Sequence, residues 1–323
     1  MFNSKFGIEV EFTGITREQA AIISAKHFNS SVRHVGGNYD AWEVTAPDGR
    51  VWQFVYDSSV SPQKKVGKRI AGASDEYRVE LVSPILSYRE DIDTVQTLIR
   101  KLRKAGAFSP NDAGIHIHLD GAGHTPRSIC NFIKIIASKN DLLYKALQIK
   151  PERMRYCKKL DEKLVERINR VRPRSFEQIS GIWYREYAET QRGRYHSSRY
   201  HFLNLHSFFT GNRTVELRGF NSELHAGKVR SYILLALALN HQALTRKNVS
   251  SRKVQAENDK FAMRTYLNRI GFIGDEFRNC REHLCKHLEG NGAWRFGQPE
   301  RNGGGEGNGE IVSIGERNGG NAE

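Results

Sequence analysis

The stretch Phe6-Gly-Ile-Glu-Val-Glu-Phe12 decides the fold class of this chain. Ile8, Val10 and Phe12 alternate with Glu9 and Glu11. A period of two sends successive side chains to opposite faces, so this is a strand with one apolar face and one carboxylate face. Two later segments repeat the form: His116-Ile-His118 within a strand expected at Ile115–Leu119, and Glu216-Leu-Arg218 within one at Thr214–Phe220. An amphipathic strand wetting its polar side explains any one pair. Three pairs together ask for more. Glu9 and Glu11 project like charges about 7 Å apart, as strand rise dictates. Water tolerates that arrangement, whereas a bound dication rewards it, because hard oxygen ligands suit Mg²⁺. His116 and His118 add imidazoles that bind a metal or donate to phosphate oxygens. Glu216 and Arg218 combine a carboxylate with a forked donor, which suits a metal beside a phosphate; the plainer account is a local salt bridge.

Working outward, Thr16-Arg-Glu-Gln19 is a capping box that opens a helix to about Phe28. Short strands are expected around Trp42–Thr45, Val51–Tyr56 and Tyr77–Leu81, the last carrying Glu80 before a Pro turn. Ser87-Tyr-Arg-Glu90 reads as a second capping box, and its helix carries Ile92, Val95, Leu98, Ile99 and Leu102 on one face until Gly106. Thr125-Pro126 starts another helix with Pro at its first position. Residues 150–200 are rich in Arg, Lys and Tyr and partly helical, with Ser175-x-x-Gln178 capping one piece. Phe202–Phe209 and Thr214–Phe220 read as a strand pair about the turn Gly211-Asn212. Helices follow at about His225–Leu244, Phe261–Ile270 and Asp275–Leu288. Without strict βαβ alternation, the class is α+β with a mainly antiparallel sheet.

The chain has 323 residues, 38% of them hydrophobic, with 16 Phe and 12 Tyr, enough for a sizeable core. A domain is expected over residues 1–297. From Gln298 the sequence is Gly, Asn and Glu with few apolar residues, so 298–323 is expected to be a disordered tail. The four cysteines are scattered and none sits in a C-x-x-C pair, which argues against a cysteine zinc site. The longest apolar run, Ile233–Leu239, is far short of a membrane span, and the N-terminus has no signal-peptide core. A cytoplasmic protein without membrane contact is expected. The net charge of +14 points to a solvated basic surface or to an anionic partner: a nucleotide, an acidic substrate or nucleic acid. With no zinc-finger spacing or compact basic motif, specific nucleic-acid binding is not expected. No GxxxxGK[ST] or GxGxxG occurs, so P-loop and Rossmann modes are unsupported.

Four segments in order, Phe6–Phe12, Glu80-Leu-Val-Ser-Pro-Ile-Leu86, Gly114-Ile-His-Ile-His-Leu119 and Thr214-Val-Glu-Leu-Arg-Gly-Phe220, resemble the putative amidoligase family of carboxylate–amine ligases, with glutamine synthetase and γ-glutamylcysteine ligase among its wider kin. Tyr56-Asp-Ser-Ser59 and Ser198-Arg-Tyr-His-Phe-Leu-Asn204 resemble it too, and the likeness spans about residues 6–245. It implies a curved, funnel-like antiparallel sheet with helices on its outer face. It also implies an ATP- and Mg²⁺- or Mn²⁺-dependent ligase that joins a carboxylate to an amine through an acyl phosphate, with either substrate small or part of a peptide or protein. By the same resemblance Glu9, Glu11, Glu80, His116 and Glu216 would hold metal, while Arg218, Arg199 and His118 would meet the phosphates and the transferring group. Asn204 would contact nucleotide, with Asp57 and Ser59 as further substrate or nucleotide contacts. The chain lacks an obvious counterpart of the larger enzymes' substrate loops, so acceptor and oligomeric state stay open. Two other readings use the same residues: a metal-dependent hydrolase or nuclease gripping phosphate through the basic surface, and a binding protein on this fold without catalysis.

Overall fold

A computed structural model describes residues 2–189, 193, 195–253 and 256–295; the expected tail from Gln298 lies outside them. In chain order the strands are β1 Lys5–Phe12, β2 Val32–Gly36, β3 Ala41–Thr45, β4 Val51–Val55, β5 Gln63–Val66, β6 Arg69–Gly72, β7 Val79–Val82, β8 Leu86–Ser87, β9 Gly114–Asp120, β10 Leu203–Asn204 and β11 Thr214–Asn221. The helices are α1 Arg17–Phe28, α2 Tyr88–Lys104, α3 Pro126–Leu147, α4 Glu162–Val171, α5 Phe176–Trp183, α6 His206–Phe209, α7 Ala226–Thr245, α8 Asp259–Arg269 and α9 Arg278–Cys285. Nine strands form one antiparallel sheet among the described residues, in the order β10-β11-β9-β1-β7-β4-β3-β2, with β8 pairing the start of β1. Strands β5 and β6 form a separate hairpin. The α+β class is as the sequence implies.

One face of the sheet is apolar because of the period of two. Phe6, Ile8, Val10 and Phe12 of β1, Ile115, Ile117 and Leu119 of β9, and Val79 and Leu81 of β7 are all buried. They share a core with Val95, Leu98, Ile99 and Leu102 of α2 and with Ile233–Leu239 of α7. Each fully buried Leu, Ile or Phe contributes about 1.5–3 kcal/mol, so this layer fixes which face the polar residues take. No helix among the described residues is long and apolar enough to cross a membrane.

Local signals explain most helix starts. Thr16 and Gln19 form the reciprocal capping box, with Gln19 N–H donating to Thr16 Oγ1 at 3.2 Å and Thr16 N–H to Gln19 Oε1 at 3.0 Å. Thr125 caps α3, with Pro126 in its first turn. The box expected at Ser87 does not form. The Ser87 hydroxyl takes the Lys5 ammonium instead, and Asp91 Oδ2 accepts the Ser87 N–H at 2.6 Å, doing the work expected of Glu90. The expected strand Phe202–Phe209 is only β10, because Asn204 Oδ1 accepts the His206 N–H at 2.8 Å and turns the chain into the single turn α6. The strand expected from Tyr77 starts at Val79, after a 3-10 turn over Asp75–Tyr77. The helix expected over Asp275–Leu288 divides into a 3-10 turn, Asp275–Phe277, and α9. Strand β2 and the β5–β6 hairpin, rich in exposed polar residues, carry too little alternation to be read from sequence.

Candidate functional site

Antiparallel register sorts the polar face into rows, and residues directly opposite each other hold their side chains about 4.5–5.5 Å apart at Cβ. Glu9 lies between Val82 and His116. Glu11 lies opposite Glu80. His118 lies between Gly7 and Glu216, and Glu216 opposite Asn204. The sequence named these residues on separate strands; the sheet order makes them neighbours. The three polar pairs and Glu80 therefore share one patch.

A β-bulge completes it. Leu217 pairs with Ile117 and Phe220 with Ile115, so β11 spends Arg218 and Gly219 opposite the single residue His116. The extra residue lets Arg218 face the patch while Phe220 returns to the apolar side. Gly219 is required there, since a Cβ would fall 1.9 Å from the Phe202 ring.

The patch divides electrostatically. In one half, His116 Nδ1 and Glu9 Oε2 share a hydrogen bond at 3.0 Å, and His116 Nε2 lies 3.4 Å from Glu11 Oε1. His118 Nε2 makes an ion-pair contact of 3.1 Å with Glu9 Oε1, too poorly aligned to count as a hydrogen bond. Arg218 Nη1 donates to Glu216 Oε1 at 2.5 Å, and Asn204 Nδ2 to Glu216 Oε2 at 2.6 Å. Burial alone would raise the Glu216 carboxyl, but Arg218 and then both imidazoles hold it down at about 2. Glu9 is likewise held well below the usual range: burial opposes ionisation, and His118 and His116 overcome it. Burial would lower His118, but Glu9 and Glu216 raise it to about 9.

In the other half, burial pushes Glu11 up. Burial, then the charges of Glu9, Asp57 and Glu11, push Glu80 well up. Like charges buried together without enough counter-charge favour protonation or a bound cation.

Three groups of side chains bring one ligand atom each to within 4.8 Å of one another: Glu9, His118 and Glu216; Glu9, Glu80 and His116; Glu11, Asp57 and Glu80. Carboxylate oxygens with one imidazole or none suit a hard dication. Arg218 Nε is buried without a hydrogen-bond partner, and His118 Nε2 has Glu9 Oε1 beside it. The carboxylate and imidazole groups present fit Mg²⁺ or Mn²⁺, and the cationic Arg218 and His118 beside them suit an anion.

Asp57, expected only as a substrate or nucleotide contact, stands among the carboxylates; its Oδ1 accepts from Ser59 N–H at 2.6 Å and from Ser59 Oγ at 2.5 Å. Asn204 is fully buried, its amide engaged by Glu216 and by the His206 N–H. Arg199 ends a 3-10 turn, Ser197–Arg199, beside β10, with its guanidinium 6.0 Å from the Tyr195 ring centroid. Sequence reasoning missed Arg153, 1% exposed, which donates to the carbonyls of Arg218 at 3.0 Å and of Phe220. Nothing in Pro151-Glu-Arg153 distinguishes it from the other arginines of that basic segment.

None of the curated proteins compared with the chain matches it. A family model described as a putative amidoligase enzyme matches residues 3–240. That span holds β1, β7, β9, β10 and β11, every strand that brings a polar side chain to the patch. With that match over most of its length, the chain belongs to the putative amidoligase enzyme family.

Proposed function

We propose that the protein is an ATP- and Mg²⁺-dependent ligase that joins a carboxylate to an amine through an acyl phosphate. The observation that carries this reading is three overlapping clusters of carboxylates and imidazoles beside the buried Arg218 guanidinium that pairs with Glu216. Glu9, Glu11, Asp57, Glu80, His116 and Glu216 would hold the metal, which when bound supplies charge neutralisation for crowded anions. Glu216, held in turn by Asn204, fixes the Arg218 guanidinium, which would meet a phosphoryl group as charge spreads over the equatorial oxygens. His118, held protonated by Glu9 and Glu216, would donate to a phosphate oxygen. The substrate carboxylate attacks the γ-phosphorus and ADP leaves; the amine nitrogen then attacks the acyl carbon, releasing phosphate and a proton. Preorganised donors aimed at developing charge do most of this work.

The test is a screen for ADP and phosphate release with Mg²⁺ or Mn²⁺ against amino acids, peptides and polyamines. ADP formation that requires both a carboxylate and an amine supports the ligase. Cleavage of a phosphodiester or other phosphate substrate without ATP would replace this reading with the hydrolase.

A further inference from the structure

We infer that Arg153 is a positioning residue: it grips the β11 bulge from within the site's floor and so sets where Arg218 points. The inference rests on the ligase reading above, because it gives Arg218 a phosphoryl group to meet.

Register places Arg153 on the polar side. Gly114, His116 and His118 share one face of β9. A Cβ built on Gly114 would fall 2.1 Å from Arg153 Nη2 and 2.4 Å from Cζ. The guanidinium thus occupies the space that any side chain at 114 would take. That space adjoins Glu11, which accepts the Gly114 N–H at 2.6 Å. Glu11 in turn lies opposite Glu80 of β7. Glu11 is the leading charge that favours the ionised guanidinium against its burial.

The hydrogen bonds show what the fork holds. A bulge disturbs the ladder locally, and its backbone groups need other partners. The Arg218 N–H donates to the Phe202 carbonyl at 2.8 Å, on the β10 side. The Arg218 and Phe220 carbonyls, which flank Gly219, both accept from Arg153. Two parallel donors on one rigid plane span both ends of the bulge, and a lysine ammonium, a point charge on a flexible stem, cannot reproduce that. Gly219 has no side chain to hold its own conformation, so the clamp falls on the residue that needs it. Arg153 sits on a 3-10 turn, Pro151–Arg153, whose carbonyl accepts from Tyr156 N–H at 2.8 Å, so the guanidinium is delivered by a fixed support. At 1% exposure it does not reach substrate and acts through Arg218.

The test is a double-mutant cycle on a phosphoryl-transfer mimic, which asks whether Arg153 works through Arg218. The probe is mant-ADP with Mg²⁺, with and without aluminium fluoride, read by fluorescence in wild type, Arg153→Lys, Arg218→Ala and the double variant. We expect Arg153→Lys to weaken the fluoride-dependent complex about tenfold, to leave mant-ADP alone within about threefold, and to add nothing in the Arg218→Ala background, as for residues that act as a unit. Independent, multiplying losses would overturn the positioning role while leaving the ligase reading intact. A wild type with no fluoride-dependent gain would overturn the ligase reading and this inference with it. If Arg153→Lys fails to fold by circular dichroism, Arg153→Gln, whose amide can hold one of the two carbonyls, takes its place in the cycle. Failure of both to fold would make Arg153 a stability residue and overturn the inference.

Discussion

Replacing Glu216 by Gln should destabilise the metal-free protein by about 3 kcal/mol at pH 7, and the loss should shrink in acid. Two estimates of the same interaction give this figure. The Glu216 carboxyl is held at about 2 against 4.5 for an ordinary Glu; by linkage that difference contributes about 3 kcal/mol at neutral pH. The pair is also buried, with side-chain exposures of 2% for Glu216 and 10% for Arg218 and a separation of 2.5 Å. Breaking such a pair by removing one partner costs roughly 3–5 kcal/mol, because the remaining charge is left buried. Gln keeps the volume and can still accept from Arg218, which places the expectation at the lower end. The sign follows from a folded-state pKa below the unfolded one: the stabilisation is full above about 4.5 and is lost as pH falls towards 2. At pH 3 less than half of it should survive. Urea unfolding of wild type and Glu216→Gln in EDTA, at pH 7 and pH 3, reads the difference directly, with equal m-values required for the comparison. A loss under about 1 kcal/mol at pH 7, or one equally large at pH 3, would refute the argument that a buried ion pair anchors Arg218.

Glu80→Gln should do the opposite to the apo protein: its carboxyl is pushed well up by burial and by Glu9, Asp57 and Glu11, so wild type loses stability as pH rises from 4.5 through the folded value. The variant should therefore gain a few degrees in Tm at pH 8 in EDTA, while Mn²⁺ binding followed by EPR weakens; no gain in Tm would show that the like charges are already compensated. Glu9→Gln should abolish Mg²⁺-dependent ADP formation with the fold retained, and wild-type turnover at limiting Mg²⁺ would remove Glu9 from the metal site. Arg218→Lys should lower kcat by about 10²–10³-fold, the effect of deleting one preorganised donor, with much less change in ATP affinity; unchanged kcat and KM would leave Arg218 as a structural partner of Glu216. Deleting residues from Gln298 onward should leave Tm nearly unchanged on composition alone, and a loss of several degrees would show that this segment packs against the rest.

What the sequence determined by itself was which residues share a face. Alternation is a local property: the extended backbone turns each side chain about 180° from the last, so Glu9 with Glu11, His116 with His118 and Glu216 with Arg218 were legible before any partner strand was known. The capping residues at Thr16 and Thr125 were legible for the same reason, since a cap is completed within four residues. What only the tertiary structure decided was which strands lie side by side and in what register. Register is set by packing across the whole apolar face, because a slip of one residue would turn that face to water. The opposition of Glu9 to His116, of Glu11 to Glu80 and of Glu216 to both His118 and Asn204 follows from it. The bulge at Arg218–Gly219 left no local mark beyond a glycine, and what makes that glycine necessary, the Phe202 ring against it, comes from another part of the chain. Asp57 joined the carboxylates from a loop, and Arg153 reached the floor of the site from another. Neither lies on a strand whose alternation could announce it. A buried cation is specified by what surrounds it, here Glu11, the space left by Gly114 and two carbonyls of β11, and those surroundings exist only once the chain has folded.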